Sequence, residues 1–417
     1  MENPRIEEKE LDIHHRKKSL ENTKRILKQS KIGSRNKTLI LEYVRSKVLG
    51  ESIGVARQEK LIRHLRILAE HLGRQFDKAA KSDIEKLVEK LYSSEVKWGE
   101  RKKKISEWSK YDYVVILKGF FQWLKNCKEP EETSWIKPPR PRPKRLKPAD
   151  IISWEDAVAM SKAATNPRDR CLPLILWGSG LRIQELLTLK LKDVEQVNGG
   201  EAVILHLRQS KTDERDPLVV RGAAALLDWM HYHPLGDNEN SYLFVNLQNN
   251  RPLEYPQTRL KLKELAKRAK IEKDVNPHAF RKASASYYLH FLTPSELKAR
   301  FGWTQSSKQL DVYCFPDEDR VNQRLLEIHG LAAAENGSIG KPESMTKTCS
   351  VCGKVNEADR EYCSICKRPL DMHRVTQVEE LKRLGDESLE ELEKEYPEIN
   401  KLFKEILKRK FKTYLGT

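Results

Sequence analysis

Arg182, Glu185, Lys211, His278, Arg281, Trp303 and Tyr313 are the residues whose types, taken as a set, could do chemistry. Singly, each has an ordinary reading. Arg182 would pair with Glu185 one helical turn on, and Lys211 would be solvated in a turn. His278 and Arg281, three apart in NPHAFRKASAS, would share a helix face, and Trp303 and Tyr313 would pack. Together they suit attack on a phosphodiester, which gathers about two negative charges on a five-coordinate phosphorus. Two guanidiniums, always charged and forked, match phosphate oxygens. A tyrosine can attack and keep the bond energy in a phosphotyrosine. Its ordinary pKa of about 10 calls for cationic neighbours or a base. A histidine can accept that proton, and a lysine can protonate the leaving 5′-oxygen. Such a scheme uses neither a catalytic metal nor a nucleotide cofactor.

Four of the seven cysteines form a second constellation. In CSVCGKVNEADREYCSICKRPLD, Cys349 pairs with Cys352 and Cys363 with Cys366, two C-x-x-C knuckles with ten residues between them. The doubled motif predicts one structural zinc ion held by four thiolates, with no open position for catalysis. Gly353 suits the tight turn after the first knuckle. Cys127, Cys171 and Cys314 stand in apolar or aromatic surroundings and are expected to be reduced, mostly buried thiols.

The elements that must position these residues follow from periodicity and punctuation. Residues 1–34 are charged and poor in large apolar side chains, and read as a partly helical or disordered arm. Over 35–128 the pattern is helical. Leu61, Ile62, Leu65, Leu68 and Leu72 recur at helical spacing and stop at Gly73. KSDIEKLVEKLY is a capped amphipathic segment, and Val114, Leu117, Phe120, Phe121 and Leu124 repeat the period. The stretch 129–150 contains KPPRPRPKRLKP, half basic, with five prolines and no acid. It predicts a semi-rigid strap whose Lys137, Arg140, Arg142, Lys144, Arg145 and Lys147 could lie along a phosphate backbone.

A second domain, 151–330, opens at SWED, where Ser153 and Asp156 make a capping box. An apolar helix (CLPLILWG), a GSG turn and the helix of LRIQELLTL follow. AVILHL and PLVV read as strands flanking QSKTDERD, which carries Lys211. The remainder reads as helical, with Thr293, Pro294 and Glu296 starting one helix. His231 and His233 in HYH read as a solvated helix end. Residues 331–346 form a linker, 347–370 the cysteine module and 371–417 a charged helical tail. The expected fold class is mainly α with a small antiparallel β element: an α+β second domain, a helical first domain and a small zinc ribbon.

GSGLRIQELLTL, the hairpin lysine, HAFRKASAS and the W…Y segment, in this order, resemble the tyrosine recombinase (phage integrase) family. The resemblance spans roughly 35–330, with specific motifs from 178 onward. It implies a site-specific DNA recombinase with an integrase-like catalytic domain and a helical core-binding domain that clamp duplex DNA. By the same resemblance Tyr313 is the nucleophile, forming a 3′-phosphotyrosyl link. Arg182 and Arg281 clamp the scissile phosphate, and Lys211 is the general acid. His278 is base or phosphate contact, Trp303 takes the His-or-Trp position, and Glu185 supports Arg182 or the base. Lys282 faces the DNA backbone. Arg208 and Arg215 compete with Lys211, because hairpin register is hard to read from sequence. The commoner pattern has His at position 303 and the tyrosine nine residues on. Tryptophan with an interval of ten is similar to archaeal members. Two alternatives stay open: an inactive DNA-binding relative and a type IB topoisomerase-like activity.

The formal net charge of +17, from 78 basic against 61 acidic residues, independently favours a polyanionic partner such as double-stranded DNA. No signal peptide and no apolar run long enough to span a bilayer is read, so the expected setting is cytoplasmic and DNA-associated. The resemblance implies a homo-tetramer at synapsis, and a monomer or weak oligomer off DNA.

Overall fold

The computed structural model describes residues 11–93, 105–138, 140–141, 148–208, 215–307, 309–310, 346–349 and 351–370, with single positions at 322, 325, 326 and 329. Lys211, Tyr313, Cys314, the linker residues Arg142, Lys144, Arg145 and Lys147, and the tail 371–417 lie outside them. Two compact units, Met1–Arg145 and Leu146–Thr417, divide within the proline-rich strap.

The first unit is helical: α1 (Arg16–Gln29), α2 (Ser34–Glu51), α3 (Val55–Leu72), α4 (Lys81–Tyr92), α5 (Glu107–Leu124) and the single turn α6 (Glu131–Ser134). Helix α3 ends where expected, at Gly73 with φ 71°, a left-handed cap that costs glycine little. Asp83 accepts the Ala80 N–H at 2.9 Å to start α4. Within the charged arm, read as partly helical or disordered, lies a helix that is packed. Leu20, Thr23 and Leu27 of α1 are buried, and Ile13 before it is fully buried. So narrow a stripe is enough to seat α1 on α3 but is inconspicuous amid the charges. Asn36 ties the loop after α3 to α2, donating to the Arg74 carbonyl and accepting from Phe76 N–H, both at 2.9 Å. Cys127 is exposed rather than buried, because it follows the end of α5 in a turn opened by Asn126 at φ 48°.

The second unit opens with α7 (Trp154–Lys162), started by the expected Ser153–Asp156 box. Then come α8 (Pro167–Ser179), α9 (Ile183–Thr188) and a three-stranded antiparallel sheet in the order β1 (Val194–Val197), β2 (Ala202–Leu205), β3 (Leu218–Val219). Val203 pairs with Val219, and a further bridge joins Leu207 to Arg215, so the predicted hairpin is present. Strand β1, VEQV, was not foreseen: two of its four side chains are charged or amide and exposed. Helices α10 (Ala223–His231), α11 (Tyr255–Arg268), α12 (Pro277–Tyr288) and α13 (Pro294–Phe301) follow. The helical expectation fails between α10 and α11, where Lys190–Tyr242 and Val245–Pro252 bridges hold extended chain. His233 is buried there rather than solvated, its Nδ1 accepting the Leu235 N–H at 3.1 Å.

The GSG turn after α8 is a point of close packing. A Cβ on Gly178 would lie 1.7 Å from the Arg221 carbonyl oxygen. Gly180 has φ +60°, and a Cβ there would lie 2.4 Å from the Phe301 ring. Arg221 is itself fixed, its guanidinium 4.7–5.2 Å from the rings of Trp154, Trp177 and Tyr287. Strands β4 (Thr346–Thr348) and β5 (Val355–Glu357) form the hairpin of the cysteine module, placing residue 346 in the module rather than the linker.

Candidate active site and metal centre

The candidate site is built where the start of α12, the end of α13 and the turn before α9 meet. Helix α12 begins with an Asn276 side chain accepting the Ala279 N–H at 3.0 Å and Pro277 in its first turn. His278 therefore stands at a helix N-terminus, and Arg281 one turn on shares its face. Helix α13 begins with the predicted Thr293–Glu296 box and ends at Gly302 in the left-handed region, φ 56°.

That left-handed end turns two helix-end carbonyls toward the arginines. Arg281 Nη2 donates to the Phe301 carbonyl at 2.5 Å, and Arg182 Nη2 to the Gly302 carbonyl at 3.0 Å. Helix C-terminal carbonyls carry partial negative charge, so they hold guanidiniums without neutralising them. Arg281 also donates to the Gly180 carbonyl at 2.8 Å and is only 4% exposed. Its guanidinium lies 5.2 Å from the Phe301 ring and 5.7 Å from that of Trp303, and these two rings stack.

Glu185 organises the other side. Its buried carboxylate accepts from Arg182 N–H and Arg182 Nη1, both at 2.8 Å, so one side chain caps α9 and aims the arginine. It also accepts from Arg215 at 2.8 and 3.1 Å. Burial pushes the Glu185 carboxyl up, but the two arginines outweigh it and hold it below its usual range. Arg215 thus serves the Glu185 pair and the Arg300 carbonyl, at 3.2 Å, which fixes the base of the hairpin. As a rival to Lys211 it is committed elsewhere. No local sequence signal marked this role: the pairing of Arg215 opposite Leu207 is a fact of the fold, and its acidic partner lies thirty residues away.

Arg182, His278, Arg281 and Trp303 together line an open cleft of about 270 Å³, with Gly302, Thr304 and Ser307. Partial burial, then Lys282 and Arg281, push the His278 imidazole below its ordinary pKa, which favours the neutral ring able to accept a proton. Lys282 is half-buried next to it, while Lys137 and Arg140 of the strap are exposed. Glu185 lies behind the arginines. The cleft is suited to an anion: two guanidiniums held by carbonyls and one carboxylate, an imidazole whose pKa is lowered and a half-buried indole.

A helical unit followed by a mainly α unit that presents such a cleft is the arrangement that the comparisons specify further. Residues 152–318 match the phage integrase family. A tyrosine recombinase of Thermosipho africanus is 27% identical over 226 residues, 52% of this chain and 74% of that protein. The tyrosine recombinase XerA of Pyrococcus furiosus is 29% identical over 178 residues, 42% of this chain and 58% of that one. Among solved structures, XerH recombinase bound to a palindromic difH substrate covers 78% of this chain and 98% of its own, with TM-score 0.52 and 15% identity. A lambda integrase dimer bound to a COC′ core site covers 66% and 76%, with TM-score 0.51 and 13% identity. These two speak to the fold. Residues 152–318 therefore form a domain of the phage integrase type, and the relatives that the chain resembles are tyrosine recombinases.

The four cysteines meet at a second centre. Their Sγ atoms all lie within 4.8 Å of one another. The knuckles repeat one backbone design: Gly353 N–H donates to the Cys349 carbonyl and Lys367 N–H to that of Cys363, at 2.9 and 3.1 Å. Gly353 and Lys367 both have positive φ, 69° and 60°. Burial raises the Cys363 thiol, but the Cys366 and Ile365 N–H groups outweigh it and bring it to about 6. Four sulfurs so close cannot all ionise without a cation between them. A closed tetrathiolate set fits a divalent metal ion, with Cys349, Cys352, Cys363 and Cys366 as its holders. No helix among the described residues is long and apolar enough to cross a membrane.

Proposed function

We propose that the chain is a site-specific recombinase that cuts and rejoins double-stranded DNA through a 3′-phosphotyrosyl intermediate on Tyr313. The observation that carries this reading is the convergence of Arg182, His278, Arg281 and Trp303 on one cleft. The DNA-bound XerH and lambda integrase structures that share the fold support DNA as partner. Tyr313 Oη attacks the scissile phosphorus and its proton passes to His278. The bond from phosphorus to the 5′-oxygen breaks, and that oxygen takes a proton from Lys211. Arg182 and Arg281 stabilise the charge gathered on the non-bridging oxygens, and the Trp303 indole N–H donates to one of them. Rejoining is the reverse, with an incoming 5′-hydroxyl attacking the phosphotyrosine. Glu185 is a positioning residue.

Exposed Lys137 and Arg140, the other basic strap residues and Lys282 would contact the DNA backbone, with four subunits assembling at synapsis. The cysteine centre would hold one zinc ion in a structural role.

A nicked DNA substrate carrying the cognate site, which loses a short fragment after cleavage, tests the reading. The wild-type chain is expected to form a covalent adduct on denaturing gels, and Tyr313→Phe to bind the same DNA without one. Binding with no adduct from either protein would instead mark an inactive DNA-binding relative. Relaxation of supercoils without site preference would mark a topoisomerase.

A further inference from the structure

The cysteine module is gripped by the catalytic unit through α10. The Glu357 carboxylate, at the end of β5 and 6% exposed, accepts the Ala225 N–H in the first turn of α10 at 3.1 Å. Arg360 donates to Asp228, which is buried on the same helix, at 2.8 Å. The Tyr232 hydroxyl at the helix end donates to the Ser364 carbonyl at 2.8 Å. Three polar contacts thus follow α10 from its first turn to its end, and each comes from a stretch between or within the knuckles. Burial pushes the Glu357 carboxyl up to about 7, so its part in the grip is the bond it accepts from Ala225 rather than a full charge, and the Arg360–Asp228 pair is largely withdrawn from water.

Helix α10 in turn abuts the segment that carries the arginine pocket. Its N-cap, Gly222, has φ +88°, and a Cβ there would lie 2.8 Å from the Leu174 backbone of α8. Arg221 just before it presses its carbonyl on Gly178, and Arg300 donates to the Gly178 carbonyl at 2.9 Å. Two residues on, Gly180 offers the carbonyl that holds Arg281, and Arg182 follows.

We propose that the four-cysteine module is a metal-dependent brace for the catalytic unit, which uses Glu357, Arg360 and the Ser364 carbonyl to hold α10 and, through α10, the turn at 178–182. The ion folds the knuckles that present these three groups. Without it, the groups lose their fixed places and α10 loses contacts at both ends. This role is separate from the cutting chemistry and stands whether or not Tyr313 is the nucleophile. It differs from an independent finger that reads nucleic acid, for which the same face would have to be free.

Hydrogen exchange of the full chain, with Zn(II) bound and after chelation, tests the brace. Removal of the metal is expected to speed exchange in α10 and in residues 178–183 by roughly tenfold or more, while α3 in the helical unit is unchanged. Arg360→Ala, with zinc content shown to be intact, is expected to speed exchange in α10 to a smaller extent. Val351→Ala, at an exposed position of the module, is expected to leave α10 as in wild type. If chelation strips the metal and unprotects 346–370 while α10 keeps its protection, the module is an independent domain and the proposal fails. It fails equally if Arg360→Ala leaves α10 exchange unchanged.

Discussion

At the scale of single residues, the pocket depends on how two arginines are kept charged, aimed and available. Glu185 does most of this on one side, because it is 3% exposed and bonds both Arg182 and Arg215. Glu185→Ala leaves the nearly buried Arg215 without its carboxylate, so a loss of about 3 kcal/mol is expected in denaturant unfolding. Glu185→Gln should recover part of that stability yet bind DNA more weakly than wild type. His278 gives a pH prediction. Its pKa is lowered in the folded chain, so the unfolded state binds the extra proton first as pH falls. The stability linked to it is full above the unfolded value near 6.5 and is lost as pH falls through the folded one. If His278 is the base, cleavage rate should follow the neutral ring, with the acid limb below 6.5. His278→Ala should remove that limb, and a pH–rate profile of single-turnover cleavage reads it. Most of this pocket was legible in sequence because its residues sit at fixed helical offsets or beside glycines. The role of Arg215 was not, since its carboxylate partner comes from another element and leaves no local pattern.

At the scale of elements, the site depends on ends and turns more than on helix bodies. The left-handed end of α13 exposes the carbonyls that hold both arginines, and the GSG turn supplies a third. Gly180→Ala places a methyl against Phe301 in a backbone region that alanine rarely adopts. A loss of about 1–3 kcal/mol in thermal or denaturant unfolding is expected, with weaker DNA affinity because Arg281 is tied to the same carbonyl. Capping boxes at Ser153 and Thr293, the glycine stop at Gly73 and the hairpin strands were legible because each is a local signal. The arm that contains α1 was read as partly helical or disordered, and the packing of that helix on α3 was not foreseen because it rests on a few apolar residues amid many charges. Strand β1 was missed because its pairing with β2, not its composition, makes it a strand.

At the scale of the whole molecule, the sequence separated a helical part, a basic strap, a catalytic part and a cysteine module. What it could not convey is attachment. Glu357, Arg360 and Ser364 meet α10 through one contact each, across more than a hundred residues of chain, and no periodicity announces such a meeting. Tyr313, proposed as the nucleophile, lies outside the described residues, and in sequence the tryptophan and the interval of ten to it depart from the commoner pattern of the resembled family. Arg182, His278, Arg281 and Trp303 form a cleft suited to a phosphate under attack, and Tyr313 is the proposed attacker. Mass-spectrometric mapping of the protein–DNA adduct after protease digestion tests that assignment most directly. A nucleotide remnant is expected on the peptide that contains Tyr313 and on no other. A remnant on Tyr287, Tyr288 or any other side chain would contradict it, as would no adduct on a verified cognate site.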